Sequence, residues 1–224
     1  MITKLPVIAI DGYSSTGKSS ISKEIAKRLG IIHLDTGALY RAITYFALQN
    51  CPSTDGFDSV ALVEQLPNIH LEFKEEQHQL SLFLNGENVA EKIRSMEVNQ
   101  KVSDIAKMPE VRNFLLQTQR DIAANGGVVM DGRDIGSVVL PNADYKFFLT
   151  ASVEERTKRR FLELKASGAE TTMDEVRTNL IERDKKDSER AVAPLIQTED
   201  AIGIDNTNLD KEQTIEAILS YIKK

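Results

Sequence analysis

Val7-Ile8-Ala9-Ile10-Asp11-Gly12-Tyr13-Ser14-Ser15-Thr16-Gly17-Lys18-Ser19 is the stretch around which the chain reads. The apolar run Val7 to Ile10 predicts a buried strand. Gly12 through Ser19 fits G-x-x-x-x-G-K-[ST] without a mismatch. Ile21, Ile25 and Leu29 then recur at helical spacing, and Gly30 sits where a helix closes on a left-handed residue. Strand, glycine loop and helix in that order are the context in which this motif cradles phosphate. Backbone N–H groups and the positive end of the helix dipole face the anion. Lys18 can reach the β and γ phosphates, and Ser19 can ligand Mg²⁺. The bland alternative is a turn that binds nothing. An unbroken motif in its full context weighs against it.

Composition sets the outer limits. The chain has 224 residues, 41% hydrophobic and 28% charged, which is ordinary for a soluble globular protein. That length allows one α/β domain with an insertion, or two small domains. A formal charge of −6 argues against binding polyanions by bulk electrostatics, so nucleic acid is not an expected partner and any anion site must be local. Cys51 is the only cysteine, which excludes an internal disulfide and a cysteine zinc site. An inert thiol in a reducing compartment is the simplest account of it. Residues 1–6 lack a signal-peptide hydrophobic region, and no apolar run approaches the roughly 18 residues of a membrane helix. The expectation is a cytoplasmic protein without membrane contact.

Along the chain, Ile31 to Leu34 predicts a second strand, ended by Asp35-Thr36-Gly37 at the edge where ligands sit in parallel sheets. A helix follows with Leu39, Ala42, Ile43, Phe46 and Ala47 on one face. Arg41 points away from that stripe, either as a solvated charge or as a phosphate contact; its place beside the strand-end loop favours the contact. From Cys51 the texture changes. Ile69, Leu71 and Phe73 alternate, as do Leu80, Leu82 and Leu84, with a polar turn from Glu75 to His78 and a second turn at Asn85-Gly86. This predicts an antiparallel hairpin inserted from about residue 51 to 96. His70 and His78 fall on its polar positions, and no ligand spacing supports a metal there.

Helical pattern returns from about Val98 to Lys107. Pro109 suits the first turn of a further helix carrying Val111, Phe114, Leu115 and Ile122 inward. Val128-Val129-Met130 predicts a third buried strand that ends in Asp131-Gly132-Arg133-Asp134, the way a Walker B carboxylate is placed. A solvated turn would also carry such charges, but a strand's C-terminal end in this kind of sheet favours function. Tyr145 to Leu149 predicts a fourth strand, and Ser152 to Glu155 a capping box. The helix it opens carries Arg156, Lys158, Arg159 and Arg160. They form either a solvated basic face supported by a Glu155–Arg159 pair or a lid that brings arginines to transferring phosphates. Such density in an acidic chain favours the lid, spanning about 156–172 with a turn at Lys165 to Thr172. The next helix starts near Asp174 and puts Arg183, Asp187 and Arg190 on one face. Ala201 to Asp205 predicts a fifth strand. Asp210 to Gln213 is another capping box, before a last helix with Ile215, Ile218, Leu219 and Ile222.

Together these residues resemble the bacterial cytidylate kinases, within the nucleoside monophosphate kinase group of P-loop proteins. The matching pieces are Ile10-Asp11-Gly12 with the P-loop, Leu34 to Arg41, Asp131 to Gly136, Glu182-Arg183-Asp184, and Arg190 to Leu195. They occur in family order over nearly the whole chain. The later motifs are specific to the family; the P-loop is not. The resemblance implies a P-loop α/β/α fold with a five-stranded parallel sheet in the order 2-3-1-4-5. Residues 1–50 and 97–224 would form its core, with the monophosphate-binding insert at about 51–96. It implies transfer of the ATP γ-phosphoryl to CMP or dCMP, with Mg²⁺, by a monomer whose partners are nucleotides. Gly12, Tyr13, Ser14, Ser15, Thr16, Gly17, Lys18, Ser19 and Ser20 would hold ATP, Ser19 also holding the metal. Thr36, Arg41, Ser103, Arg112, Arg133, Asp134, Arg183, Asp187 and Arg190 would hold CMP. Arg41 and Arg133 would meet its phosphate, Asp187 with Arg183 its pentose, and Ser103, Arg112, Asp134 and Arg190 its cytosine. Lys18, Arg41, Arg133, Arg156, Arg159 and Arg160 would serve the transfer itself.

The chain departs from the family pattern at three positions, with Tyr13 for a common proline, Ser15 for a common glycine and Thr36 for a common serine. A uridylate/cytidylate or adenylate kinase is the nearest alternative. A nucleotide-gated switch is a more distant one. Asn206-Thr207-Asn208-Leu209-Asp210 does not supply the guanine-reading Asn-Lys-x-Asp of such switches.

Overall fold

The computed structural model describes residues 5–76 and 79–222. β1 (Val7–Gly12) runs through the glycine loop into α1 (Lys18–Leu29), then β2 (Ile32–Asp35) and α2 (Thr36–Asn50). A two-residue ladder, β3 (Pro52–Ser53) with β4 (Gly56–Phe57), leads to α3 (Ser59–Gln65). The hairpin β5 (Leu71–Glu76) and β6 (Gln79–Leu84) follows, with β7 (Glu87–Asn88) paired on β6. After α4 (Met96–Ile105) and α5 (Pro109–Ala123) come β8 (Val128–Gly132), β9 (Tyr145–Thr150), α6 (Val153–Ala166), α7 (Met173–Glu189), β10 (Ile202–Asp205) and α8 (Lys211–Tyr221).

The chain divides into two compact units, residues 1–35 with 120–224, and Thr36–Gln119. The first holds a parallel sheet in the order β2-β8-β1-β9-β10. Counted among these five strands alone, the order is 2-3-1-4-5, as expected. β1 is central because Val7 to Ile10 are apolar without alternation, which suits a strand covered on both faces. Ile8 and Ile10 pack with Ile21, Ile25, Val129, Phe147, Leu149, Ile215 and Ile218 in this unit's core.

The second unit has its own core. Leu39, Ala42, Ile43 and Ala47 of α2 join Leu62, Leu82, Leu84, Ile105, Val111 and Leu115, and the Cys51 thiol is buried among them. The compact unit is therefore wider than the hairpin alone, because the apolar face of α2 closes on the hairpin residues. Asn85 and Gly86 both have positive φ, at 49° and 84°, which gives the tight turn their pairing predicts. His70 is exposed; His78, and with it part of the Glu75–His78 turn, lies outside the described residues.

Several local expectations are corrected. The second strand passes into α2 at Thr36 with no loop between them. The α3 helix has no counterpart in the sequence reading, although its cap is visible afterwards: the Asp58 carboxylate accepts from the Val60 and Ala61 N–H groups. Ser152 caps α6 by accepting from the Glu155 N–H, but the Glu155 carboxylate turns instead to Arg159 at 3.1 Å, so the box is half made. Complete boxes lie at Thr172 and Glu175, at the start of α7, and at Asp210 and Gln213, at the start of α8, the second as expected. The turn before α7 is shorter than expected, since α6 continues to Ala166.

Register brings Asp11 level with Gly132, and Asp35 level with Asp131, at the C-terminal edge of the sheet. The Asp11 carboxylate accepts from the Ile135 N–H at 2.8 Å and the Gly136 N–H at 2.7 Å. These bonds fix the loop after β8, which continues as a single π-helical turn, Ile135–Val139. A Cβ on Gly136 would lie 3.4 Å from Asp11 Oδ2 and 3.2 Å from the Lys146 stem, so any side chain there would have to push the lysine stem aside. Burial pushes the Asp11 carboxyl up to about 6, against the pull of the two N–H donors. Asp11→Ala strands two buried donors. Urea unfolding at pH 7 should show a loss of about 2–4 kcal/mol. An unchanged midpoint would show that the tie carries no net stability.

Candidate functional site

The glycine loop is shaped by what lies beneath it. Gly12 has φ 146°, and a Cβ there would fall 2.1 Å from the Leu149 carbonyl oxygen of β9. The loop then turns through Ser15 at φ 61° and Gly17 at φ 85° before α1 begins. Ser15 takes the left-handed region without being glycine, at a cost of roughly 1–2 kcal/mol. Thr16 Oγ1 donates to the Tyr13 carbonyl at 3.0 Å, and Asn206 Nδ2 holds the Thr16 carbonyl at 2.9 Å. Lys18 Nζ donates to the Tyr13 carbonyl at 2.5 Å. Burial holds its pKa well below the usual lysine value, and the Arg133 charge pushes the same way. An arriving phosphate would reverse that balance. Ser20 caps back to the Gly17 carbonyl, and Ser19 is exposed on the first turn of α1.

Beside the loop, the first unit collects most of the charged residues expected from the sequence. Arg133 Nε donates to Asp187 Oδ2 and its Nη2 to Ser14 Oγ, both at 2.8 Å. Arg190, at the end of α7, lies 3.3 Å from Asp134 Oδ1, with both side chains buried. Burial opposes ionisation of Asp187, but Arg133, Arg183 and Arg190 outweigh it and hold its carboxyl below the usual range. This cluster forms because α7 carries Arg183 and Asp187 one turn apart. The loop after β8 delivers Arg133 and Asp134 at the sheet edge.

The three arginines of α6 are placed differently. Arg156 is buried and donates to the Ala151 carbonyl, the Ser14 carbonyl and Asp184 Oδ2. Arg159 bonds Glu155 and both oxygens of Asn206, and Arg160 pairs with Glu163. Sequence reasoning missed three partners here. Asp184 appeared only as part of a motif. The sequence around Asn206 only fails the guanine-reading pattern, although its place just past β10 marks it as a strand-end residue. His33 Nε2 lies 2.6 Å from Asp131 Oδ1, and burial raises the Asp131 pKa against that contact.

In the second unit, Thr36 is buried at the start of α2, and Arg41 is half-buried one turn later. Ser103 is half-buried on α4. Arg112 is buried on α5, donates to the Ala106 carbonyl at 3.1 Å and lies 5.6 Å from the Tyr40 ring centroid.

Among the described residues, no three His, Cys, Asp or Glu side chains group to hold a metal. An exposed Ser19 hydroxyl at a helix N-terminus fits Mg²⁺ that arrives on phosphates and keeps most of its waters.

The model of the family "Cytidylate kinase" matches residues 8–224. A cytidylate kinase of Flavobacterium johnsoniae is 48% identical over 218 residues, covering 96% of this chain and 95% of the relative. One from a Geobacillus species is 49% identical over 217 residues, covering 97% and 96%. One from Ligilactobacillus salivarius is 45% identical over 224 residues, covering 100% and 99%. With the family model matching nearly the whole chain and full-length relatives at 45–49% identity, the chain belongs to the cytidylate kinase family.

Proposed function

We propose that this chain transfers the γ-phosphoryl group of ATP to CMP or dCMP, giving ADP and CDP or dCDP. The observation that carries the reading is the pair of hydrogen bonds from Arg133, one to Asp187 and one to Ser14. Through them the groups assigned to the acceptor touch the loop assigned to the donor.

The residues supply charge and alignment. The loop N–H groups and Lys18 take the ATP phosphates, Lys18 leaving the Tyr13 carbonyl to do so. Mg²⁺, held by Ser19 and the nucleotide, neutralises phosphate charge when bound. Arg133 orients the CMP phosphate, and Arg156, beside Ser14, is the lid arginine best placed for the transferring group. An oxygen of the CMP phosphate attacks the γ phosphorus while the bond to the β–γ bridging oxygen breaks. That acceptor oxygen is already anionic near neutral pH, so no general base is needed. Asp187 and Arg183 take the pentose. Thr36, Arg41, Ser103 and Arg112 are assigned to CMP by motif.

Base choice follows from hydrogen-bond polarity. Cytosine offers a 4-amino donor and an N3 acceptor, whereas uracil reverses both. An ionised Asp134 can only accept and Arg190 can only donate. Their pairing across a buried edge favours cytosine over uracil. No helix among the described residues is long and apolar enough to cross a membrane. A cytoplasmic monomer acting on nucleotides alone fits that, together with a lone buried cysteine.

ADP release measured across CMP, dCMP, UMP, AMP and GMP should favour CMP over UMP by roughly one to two orders of magnitude in kcat/KM. Asp134→Ala should narrow that ratio mainly by losing CMP activity. A folded variant that keeps the wild-type ratio removes Asp134 from base reading. Lys18→Ala should keep the fold and lower kcat by about 100-fold or more. Near-native turnover would take Lys18 out of the mechanism.

A further inference from the structure

The assignment of Arg156 to the transferring phosphate raises a physical question. A guanidinium on a lid helix has many rotamers, yet this one is only 4% exposed and held from three sides. Its Nε donates to the Ala151 carbonyl at 2.9 Å. Its Nη1 donates to the Ser14 carbonyl at 3.2 Å and to Asp184 Oδ2 at 2.5 Å. The other Asp184 oxygen accepts from the Ser14 N–H at 3.4 Å. The guanidinium carbon lies 5.2 Å from the centroid of the Tyr13 ring, within reach of a cation–π contact. That ring is itself braced edge-on by Phe148, at 5.9 Å and 85°. Among the described residues none accepts a hydrogen bond from Nη2. The arginine is thus anchored by its other nitrogens and its face, with one nitrogen left for an incoming oxygen.

We infer that Asp184 and the Tyr13 ring are positioning residues that hold the Arg156 guanidinium against the phosphate loop before nucleotide arrives. This rests on the reading of Arg156 as a phosphate contact. Both act on the reaction through Arg156. The Tyr13 ring supplies a flat wall and Asp184 a charge-assisted bond of fixed direction. Together they spare the enzyme the ordering of a long side chain during each turnover.

The test is a double-mutant cycle on the full chain. Arg156→Ala is expected to lower kcat on the order of 100-fold. Asp184→Asn should lower kcat on the order of tenfold, and Tyr13→Leu roughly three- to tenfold. CMP KM should stay within about twofold for both, and Tyr13→Phe should recover most of what Leu loses. In the Arg156→Ala background, Asp184→Asn and Tyr13→Leu should each cost less than about twofold, because the group they position is gone. Equal losses in both backgrounds overturn the inference, since the two residues would then act elsewhere. A normal kcat in Arg156→Ala overturns the reading of Arg156, and this inference with it, but through a different variant. If Asp184→Asn does not fold, the Tyr13 arm carries the same comparison alone.

Discussion

The tie between Asp11 and the loop after β8 is the constraint on which the polar edge of the sheet depends. Two backbone N–H groups, from Ile135 and Gly136, converge on one buried carboxylate at the end of the central strand. The residues just before them are Arg133 and Asp134. Where Asp11 holds the backbone, those two side chains leave it in set directions, one toward Ser14 and Asp187, the other toward Arg190. The price is a carboxyl buried beyond its comfort and pushed up to about 6. Strand, loop and site are therefore one electrostatic object, built where three parallel strands end together.

The same logic explains how an acidic chain can hold phosphates. The net charge is −6, yet Lys18, Arg133, Arg156 and Arg190 are gathered at one edge of the first unit. Each arginine is paired with an aspartate, which offsets the cost of taking a cation out of water. Each pair also fixes a guanidinium in place. Lys18 is the exception. It leans on a neutral carbonyl, and both burial and Arg133 work against its charge. The phosphate loop is thus the point of the cluster where an anion brings the most relief.

Much of this was legible in the sequence, for reasons that can be named. The glycine loop is a local motif, and Gly12 is required by one close approach that the motif already encodes. The five core strands are short apolar runs ending in polar residues, so their identity could be read, whereas their order followed from the family resemblance. The spacing of Arg183, Asp187 and Arg190 groups them on one side, while their assignment to an acceptor comes from the family resemblance; in the structure α7 ends at Glu189 and Arg190 follows it in extended backbone. The role of Asp184 was not legible, because its partner Arg156 lies 28 residues away on another helix and only packing joins them. The His33–Asp131 contact depends on strand register, which no local pattern reveals. The stripe on α2 predicts a buried face but not which core it joins, and in the structure it belongs to the second unit. Tyr13 read as a tolerated departure in a loop whose backbone does the binding. Its ring turns out to carry a contact of its own, with Arg156.

The central claim is that the phosphoryl group passes to the phosphate of CMP and not to water. The most direct measurement is to follow the label from γ-³²P-ATP after addition of enzyme, Mg²⁺ and CMP, separating CDP from inorganic phosphate. The account predicts that label appears in the β-phosphate of CDP, in step with ADP, with only a trace released as phosphate. Label released mainly as inorganic phosphate, at a rate indifferent to CMP, would contradict it.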